Sequence, residues 1–285
     1  MTSYPGLPRL FVTAFFWLFV QSGWSDSAVA DQSILEFSGM PRIAIIIDDL
    51  GNGRRAGERT AALNGPVACA ILPYTPFGKT IAQQAFLAGK EVMLHLPLQP
   101  VEQLETTGSG TIRIDNTRAQ LVRIFESDIV SIPHVVGVSN HMGSLLTRHP
   151  GHMKWLMDAV KAHGNLFFVD SYTTVSSVAL QLARERGVPS IRRDIFLDNV
   201  PTTAAIDHEF ARLIKRAKEN GYAVGIGHPY PETLQYLEQA LPALIDEGIE
   251  LVSVGRLIGQ IAEGHKTGPQ AAERVGQWDG VHVHE

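Results

Sequence analysis

Short apolar runs alternate with helical patterns along this chain, and that alternation restricts the fold more than any other feature. The runs are Ile43–Ile47, Val67–Leu72, Glu91–Leu96, Val135–Val138, Leu166–Val169, Ser190–Leu197, Ala223–Ile226 and Glu250–Val254. Between most of them lie stretches such as "FGKTIAQQAFLAGK", "RAQLVRIFESDI", "GHMKWLMDAVKAHG", "SSVALQLARERG", "AAIDHEFARLIKRAKENG" and "PETLQYLEQALPALIDEG". Several of these close on Gly after a basic or polar last turn, as helices often do. Continuous apolar strands separated by helices indicate a parallel sheet covered on both faces. Seven or eight such units in about 220 residues suit a distorted (β/α) barrel better than an open sheet, since such barrels typically need about 250 residues. The expected class is therefore α/β, with seven or eight parallel strands.

The N-terminus follows another pattern. Arg9 precedes an apolar run from Leu10 to Val20, then a polar stretch and Ala28-Val29-Ala30. This is the layout of a secretory signal peptide with a small-residue cleavage site. The run is short for a membrane span, which needs about 20 residues. The expected organisation is a leader at 1–30, a linker at 31–40, a barrel domain at 41–262 and a disordered tail at 263–285. The mature chain is expected outside the cytoplasm, periplasmic or extracellular, with no stable membrane span. A net charge of −5 and the lack of a basic stripe argue against nucleic acid as a partner. The single cysteine, Cys69, lies in the apolar run "VACAIL" and reads as a small buried hydrophobe. Nothing in the sequence fixes the oligomeric state.

Polar residues fall at one place in each unit. "RIAIIIDDLGNG" ends its strand in Asp48 and Asp49, and "EVMLHLPLQP" carries His95 and Gln99. "VVGVSNHMGS" carries Asn140 and His141, "LFFVDSYT" Asp170 and Ser171, "IFLDN" Asp198 and Asn199, and "AVGIGHPYP" His228. In a β/α barrel the C-terminal ends of the strands share one rim, where active sites sit. One such residue could be a satisfied core group or a turn former, and Asp48 and Asp49 alone could simply start a turn. The whole set is harder to explain that way, because burying charge without a partner is costly. Alternate strand residues point to opposite sides, so the two adjacent acids are expected to do different jobs. Carboxylate plus imidazole suits a divalent ion such as Zn²⁺. No G-x-S-x-G elbow is present, and "DDLGNG" lacks the Lys and spacing of a phosphate-binding loop.

Taken together, "IAIIIDDLGNG", "GKEVMLHLPLQP", "VSNHMGS", "FFVDS", "IFLDN" and "GIGHPYPET" resemble the divergent polysaccharide deacetylases, relatives of the NodB-type carbohydrate esterases, over roughly residues 40 to 260. The resemblance implies a NodB-like distorted barrel with a metal-dependent hydrolase site. It makes Asp48 the catalytic base and Asp49 a metal ligand. The family's H-x-x-x-H motif supplies two metal histidines; His95 matches the first, but Gln99 stands where the second would be. His141 is then the candidate for the missing ligand, and His228 matches the histidine that assists as acid. Asn140, Asp170, Ser171, Asp198, Asn199 and Gln99 are expected to bind substrate or to orient the ligands. For Asp170 and Asp198, capping of a βα loop is the competing reading.

The activity implied is removal of acetyl groups from an envelope or extracellular polysaccharide, with a divalent metal, zinc first, as cofactor and a glycan as partner. Two rivals stand beside it. One is an exported barrel with a degenerate site that binds glycan or an envelope partner, which Gln99 favours. The other is a glycoside hydrolase using Asp48 with Asp170 or Asp198 as a two-carboxylate pair.

Overall fold

The computed structural model describes residues 39–102 and 108–267. The expected leader at 1–30 and nearly all of the linker at 31–40 lie outside the described residues, as does the tail beyond residue 267. The elements in chain order are β1 (Arg42–Leu50), α1 (Arg54–Ala62), β2 (Ala68–Ile71), α2 (Gly78–Leu87), β3 (Val92–Leu98) and α3 (Arg118–Ser131). There follow β4 (Val135–Met142), α4 (Pro150–His163), β5 (Phe167–Asp170), α5 (Ala179–Glu185), β6 (Ser190–Arg192) and β7 (Ile195–Phe196). The last elements are α6 (Thr203–Asn220), β8 (Tyr222–Gly227), α7 (Pro231–Ala243), β9 (Glu250–Leu251) and α8 (Val254–Thr267). A short 3₁₀ turn, Leu146–Arg148, precedes α4.

The strands form one parallel sheet in the order β6-β5-β4-β3-β2-β1-β8-β7, with β9 beside the start of β1. The two outer strands of this path, β6 and β7, are consecutive in the chain. Arg192 and Ile195 are three residues apart, so their Cα atoms lie within about 11 Å. In a flat sheet, eight strands at about 4.8 Å spacing would hold those edges roughly 34 Å apart. The sheet must therefore curl until its edges nearly meet, which gives the expected distorted (β/α) barrel. The single strand expected at Ser190–Leu197 is corrected here: it breaks at Arg193-Asp194 and contributes a short strand to each edge. The Asp194 carboxylate accepts the Val224 N–H at 2.9 Å at this crossing. Helix α8 continues to Thr267, past the boundary expected at residue 263.

Period-two alternation sorts the apolar strand residues into two cores. Ile43, Ile45 and Ile47 join the larger cluster, between the sheet and the helices. Ala44, Ile46, Ala68, Ala70, Met93, Val169, Val224 and Ile226 join the smaller one, inside the curl. Val254, Leu257 and Ile258 of α8 belong to this inner cluster. The Glu91 carboxylate at the start of β3 accepts the first N–H groups of α8, Val254 at 2.8 Å and Gly255 at 3.1 Å. Helix α8 thus plugs the N-terminal end of the barrel and leaves the C-terminal end for a site.

Phe167 helps fill the lumen. A Cβ on Gly137, its partner on β4, would lie 2.3 Å from the Phe167 ring. Gly137→Ala is therefore expected to destabilise the fold by about 1–3 kcal/mol, the usual range for overpacking a filled core. Denaturant unfolding measures this; an unchanged midpoint would mean that Phe167 has room to move.

Candidate active site

β1 breaks step just after its apolar run. Ile47 pairs with Cys69 and Leu50 with Ile71, so β1 carries one residue more than β2 over this interval. The extra residue makes a β-bulge, and Asp49 within it is left-handed at φ 57°. Such a backbone costs a non-glycine residue on the order of 1 kcal/mol, and Asp tolerates it better than most. The bulge corrects the expectation that Asp48 and Asp49 point to opposite sides. Both flank one imidazole: Asp48 Oδ1 is 3.6 Å from His95 Nδ1, and Asp49 Oδ1 is 3.2 Å from His95 Nε2.

His141 completes the group. On β4, Ser139 pairs with His95 and His141 with Pro97, so alternation keeps Ser139 and His141 on the lumen side with His95. His141 Nδ1 is 2.8 Å from Asp49 Oδ1 and 3.2 Å from His95 Nε2. His95 Nδ1 meets Ser139 Oγ at 2.8 Å. If that nitrogen carries the proton, the Nε2 lone pair faces Asp49 and His141.

Distance and direction disagree at Asp49 in an informative way. Its Oδ1 is buried and close to two imidazole nitrogens, yet it takes no well-directed hydrogen bond among the described residues. Burial alone would raise the Asp49 pKa, but His141 and His95 hold the carboxyl well below the usual carboxylate range. The three donor atoms lie within 4.8 Å of one another. Three electron-rich atoms so arranged suit a shared cation.

His228 follows β8 on the other side of Asp49. Its Nδ1 is 2.8 Å from Asp198 Oδ1, and its Nε2 is 3.8 Å from Asp49 Oδ2. Burial alone would lower the pKa of His228, but the hydrogen-bonded Asp198 and the charges of Asp48 and Asp49 bring it up to about 8. The ring stacks on Phe196 at 5.5 Å between centroids. Asp48 differs from Asp49: it is 2 % exposed, its Oδ1 has no hydrogen-bond partner among the described residues, and burial pushes its carboxyl above the ordinary range.

The remaining expected residues divide. Asp198 orients His228 rather than a metal histidine; its Oδ2 also accepts the His228 N–H at 2.6 Å and the Thr233 hydroxyl at 2.7 Å. Asp170 takes the competing reading and caps its loop, accepting the Tyr172 N–H at 2.9 Å and the Ser177 hydroxyl at 2.8 Å. Asn140 pins two rim loops, donating to Met142 O at 2.7 Å and accepting the Ser171 N–H at 2.9 Å. The Ser171 hydroxyl is buried with no hydrogen-bond partner among the described residues. Asn199 is exposed, and no hydrogen bond among the described residues ties it to the cluster. Gln99 holds the chain rather than the site. Its Oε1 accepts the Ile114 N–H at 2.8 Å, and its carbonyl accepts the N–H groups of Leu145 and Leu146.

Sequence reasoning missed Ser139, Thr233 and Arg193. Ser139 lies two residues before His141, so strand period alone puts it on the same face. Arg193 donates to the carbonyls of Ser171 at 2.7 Å and Tyr172 at 3.0 Å and lies over the Phe196 ring. Burial lowers the pKa of its guanidinium, and the nearby carboxylates of Asp48 and Asp170 oppose that drop. Its position at the break between β6 and β7 has no local sequence signal.

Comparison with known proteins places the chain in a family. The profile of the divergent polysaccharide deacetylase family matches residues 45–258, a span that contains the whole cluster. The chain is 33% identical over 231 residues to the uncharacterized protein YibQ of Escherichia coli, covering 81% of this chain and 72% of that protein. It is 34% identical over 216 residues to an uncharacterized protein of Haemophilus influenzae, covering 76% of each. The crystal structure of an uncharacterized Agrobacterium tumefaciens protein superposes with a TM-score of 0.73 at 23% identity, covering 78% of this chain and 90% of that one. At that identity the likeness is one of fold.

Proposed function

Because this chain belongs to the divergent polysaccharide deacetylase family, we propose that it is a metal-dependent hydrolase that removes acetyl groups from an envelope or extracellular polysaccharide. The observation that carries this reading is the convergence of Asp49 Oδ1, His95 Nε2 and His141 Nδ1. These three residues would hold the ion. Two imidazoles and one carboxylate suit Zn²⁺ better than Mg²⁺ or Ca²⁺, which prefer all-oxygen sites. When bound, such an ion supplies a nucleophile at neutral pH and draws charge onto the acetyl carbonyl oxygen.

The chain's own residues supply the proton transfers. Asp48, buried and with a free oxygen, takes the proton of the attacking water. His228, held by Asp198 through Nδ1, presents Nε2 to the leaving amine or alkoxide and protonates it. The products are acetate and a deacetylated sugar. The glycosidase rival is disfavoured because Asp170 and Asp198 are both occupied by local hydrogen bonds. Export fits this reading and rests on the leader pattern between Arg9 and Ala30. Among the described residues, no helix is long and apolar enough to cross a membrane.

Turnover requires Asp48 ionised and His228 protonated. The rate is therefore expected to rise with pH through the raised pKa of Asp48, above the usual carboxylate range, and to fall as pH passes about 8. The two limbs report the coupled pair. Asp198→Asn removes the charge that keeps His228 protonated, so it should move the alkaline limb to lower pH and leave the acid limb in place. An alkaline limb unmoved in that variant would assign it to another group. The reaction itself is tested by measuring acetate released from acetylated envelope glycans, with added Zn²⁺ and with chelator. Release that chelator abolishes is the expected result; a folded, zinc-loaded protein inactive on the whole panel would exclude the deacetylase reading.

A further inference from the structure

Tyr74, on the loop after β2, has a left-handed backbone at φ 58°, an outlier for a bulky aromatic residue. Residues held in such conformations cluster at functional sites and need support from their surroundings. Asp49, Met142 and Tyr172, also left-handed, lie at or just past the C-terminal ends of other strands. Asp49 belongs to the cluster, and Asn140 and Asp170 hold the backbones of Met142 and Tyr172. Tyr74 has no role in that machinery.

What surrounds Tyr74 resembles a ligand site. The side chain is 52% exposed. It lines two adjoining cavities, of about 570 and 470 Å³, which share Tyr74 and Ser127. The second also exposes Asn116, Gln120 and Arg123 along its walls. Asp128 of α3 also lines this second cavity; it is fully buried, and neither carboxylate oxygen has a well-directed hydrogen bond among the described residues. The Tyr74 hydroxyl is its polar neighbour, and burial raises the Asp128 carboxyl to about 7. Leaving a buried acceptor unpaired costs about 1–3 kcal/mol, so the group calls for a reason. Gly110 closes over it: at φ 80°, a Cβ there would lie 2.3 Å from Asp128 Oδ1.

The loop that carries Tyr74 meets the turn beside the catalytic cluster. The Phe77 N–H donates to Gly51 O at 2.9 Å, and a Cβ on Gly51 would lie 2.0 Å from Thr75 Oγ1. The Tyr74 loop therefore packs directly on the turn that follows Asp49.

We propose that the Tyr74 groove is a second carbohydrate subsite, which takes a pyranose unit of the glycan chain beyond the one that reacts. The aromatic ring accepts the C–H face of the sugar. As the sugar enters, the ring turns off Asp128, and the carboxylate accepts two sugar hydroxyls. This deepens the deacetylase reading and rests on it for the class of ligand.

The test is calorimetric titration of the zinc-loaded full chain with N-acetylglucosamine oligomers of two to six units. Affinity is expected to rise with length by roughly tenfold, the contribution of one good aromatic contact. Tyr74→Gly, which removes the ring and relieves the left-handed strain, should bind all lengths alike. Tyr74→Phe should keep the rise, and Asp128→Leu should reduce it. No rise with length in the wild type, or a rise that survives in Tyr74→Gly, overturns the subsite. Acetate release from the same oligomers separates the two readings. Release with a flat length dependence overturns the subsite alone, and Tyr74-dependent binding without release overturns the deacetylase reading alone.

Discussion

Asp48→Asn is expected to keep its metal and lose turnover by about 10² to 10⁴, the usual worth of a general base. Asp49→Asn is expected to lose both. The two acids are neighbours in sequence and touch the same imidazole, so their roles rest on what else each meets. Asp49 Oδ1 lies 2.8 Å from His141 Nδ1 as well as 3.2 Å from His95 Nε2. Asp48 reaches only the far side of His95, at Nδ1, where Ser139 already sits 2.8 Å away. Asn keeps the left-handed backbone that Asp49 adopts, so Asp49→Asn should fold. Metal content by mass spectrometry and turnover, measured on both purified variants, check the assignment. The reverse pattern would exchange the roles, and equal metal loss would make both acids ligands.

His141→Ala is expected to weaken metal binding by at least 100-fold, since even groups that merely orient a ligand are worth about 10–100-fold. Gln99→Ala is expected to leave metal affinity unchanged and cost about 1 kcal/mol of stability through the lost hydrogen bond to Ile114. The contrast matters because Gln99 stands in the position at which the resembled family places its second histidine. In this chain the histidine proposed to replace it lies on the neighbouring strand, two residues beyond Ser139. Competition with a chromophoric chelator measures both variants. Metal retained in His141→Ala but lost in Gln99→Ala would return the ligand role to the β3 segment.

The polar rim was legible in the sequence because each strand is a short apolar run that ends abruptly. A polar residue at or just past that end must lie towards one rim of a parallel barrel, wherever it falls in the chain. Asp48, Asp49, His95, His141, Asp198 and His228 were all found in this way. Their orientations were not legible. The bulge at Asp48-Asp49 depends on how β1 registers against β2, and it turns two residues of opposite parity to one site. The break at Arg193-Asp194 comes from closure of the sheet, which no local pattern records. Asp170 and Asn140 have the same position as the site residues but spend their hydrogen bonds on the loops around them. Only the distances separate loop caps from ligands. Tyr74 and Asp128 come from a loop and an outer helix, where neither period nor position marks them.

Asp49, His95 and His141 are proposed to bind one divalent ion. The most direct test is the anomalous difference map of a zinc-soaked crystal, measured at the zinc absorption edge. One peak is expected, bonded to Asp49 Oδ1, His95 Nε2 and His141 Nδ1. A map with no peak there, or with zinc only elsewhere on the molecule, would contradict the proposal.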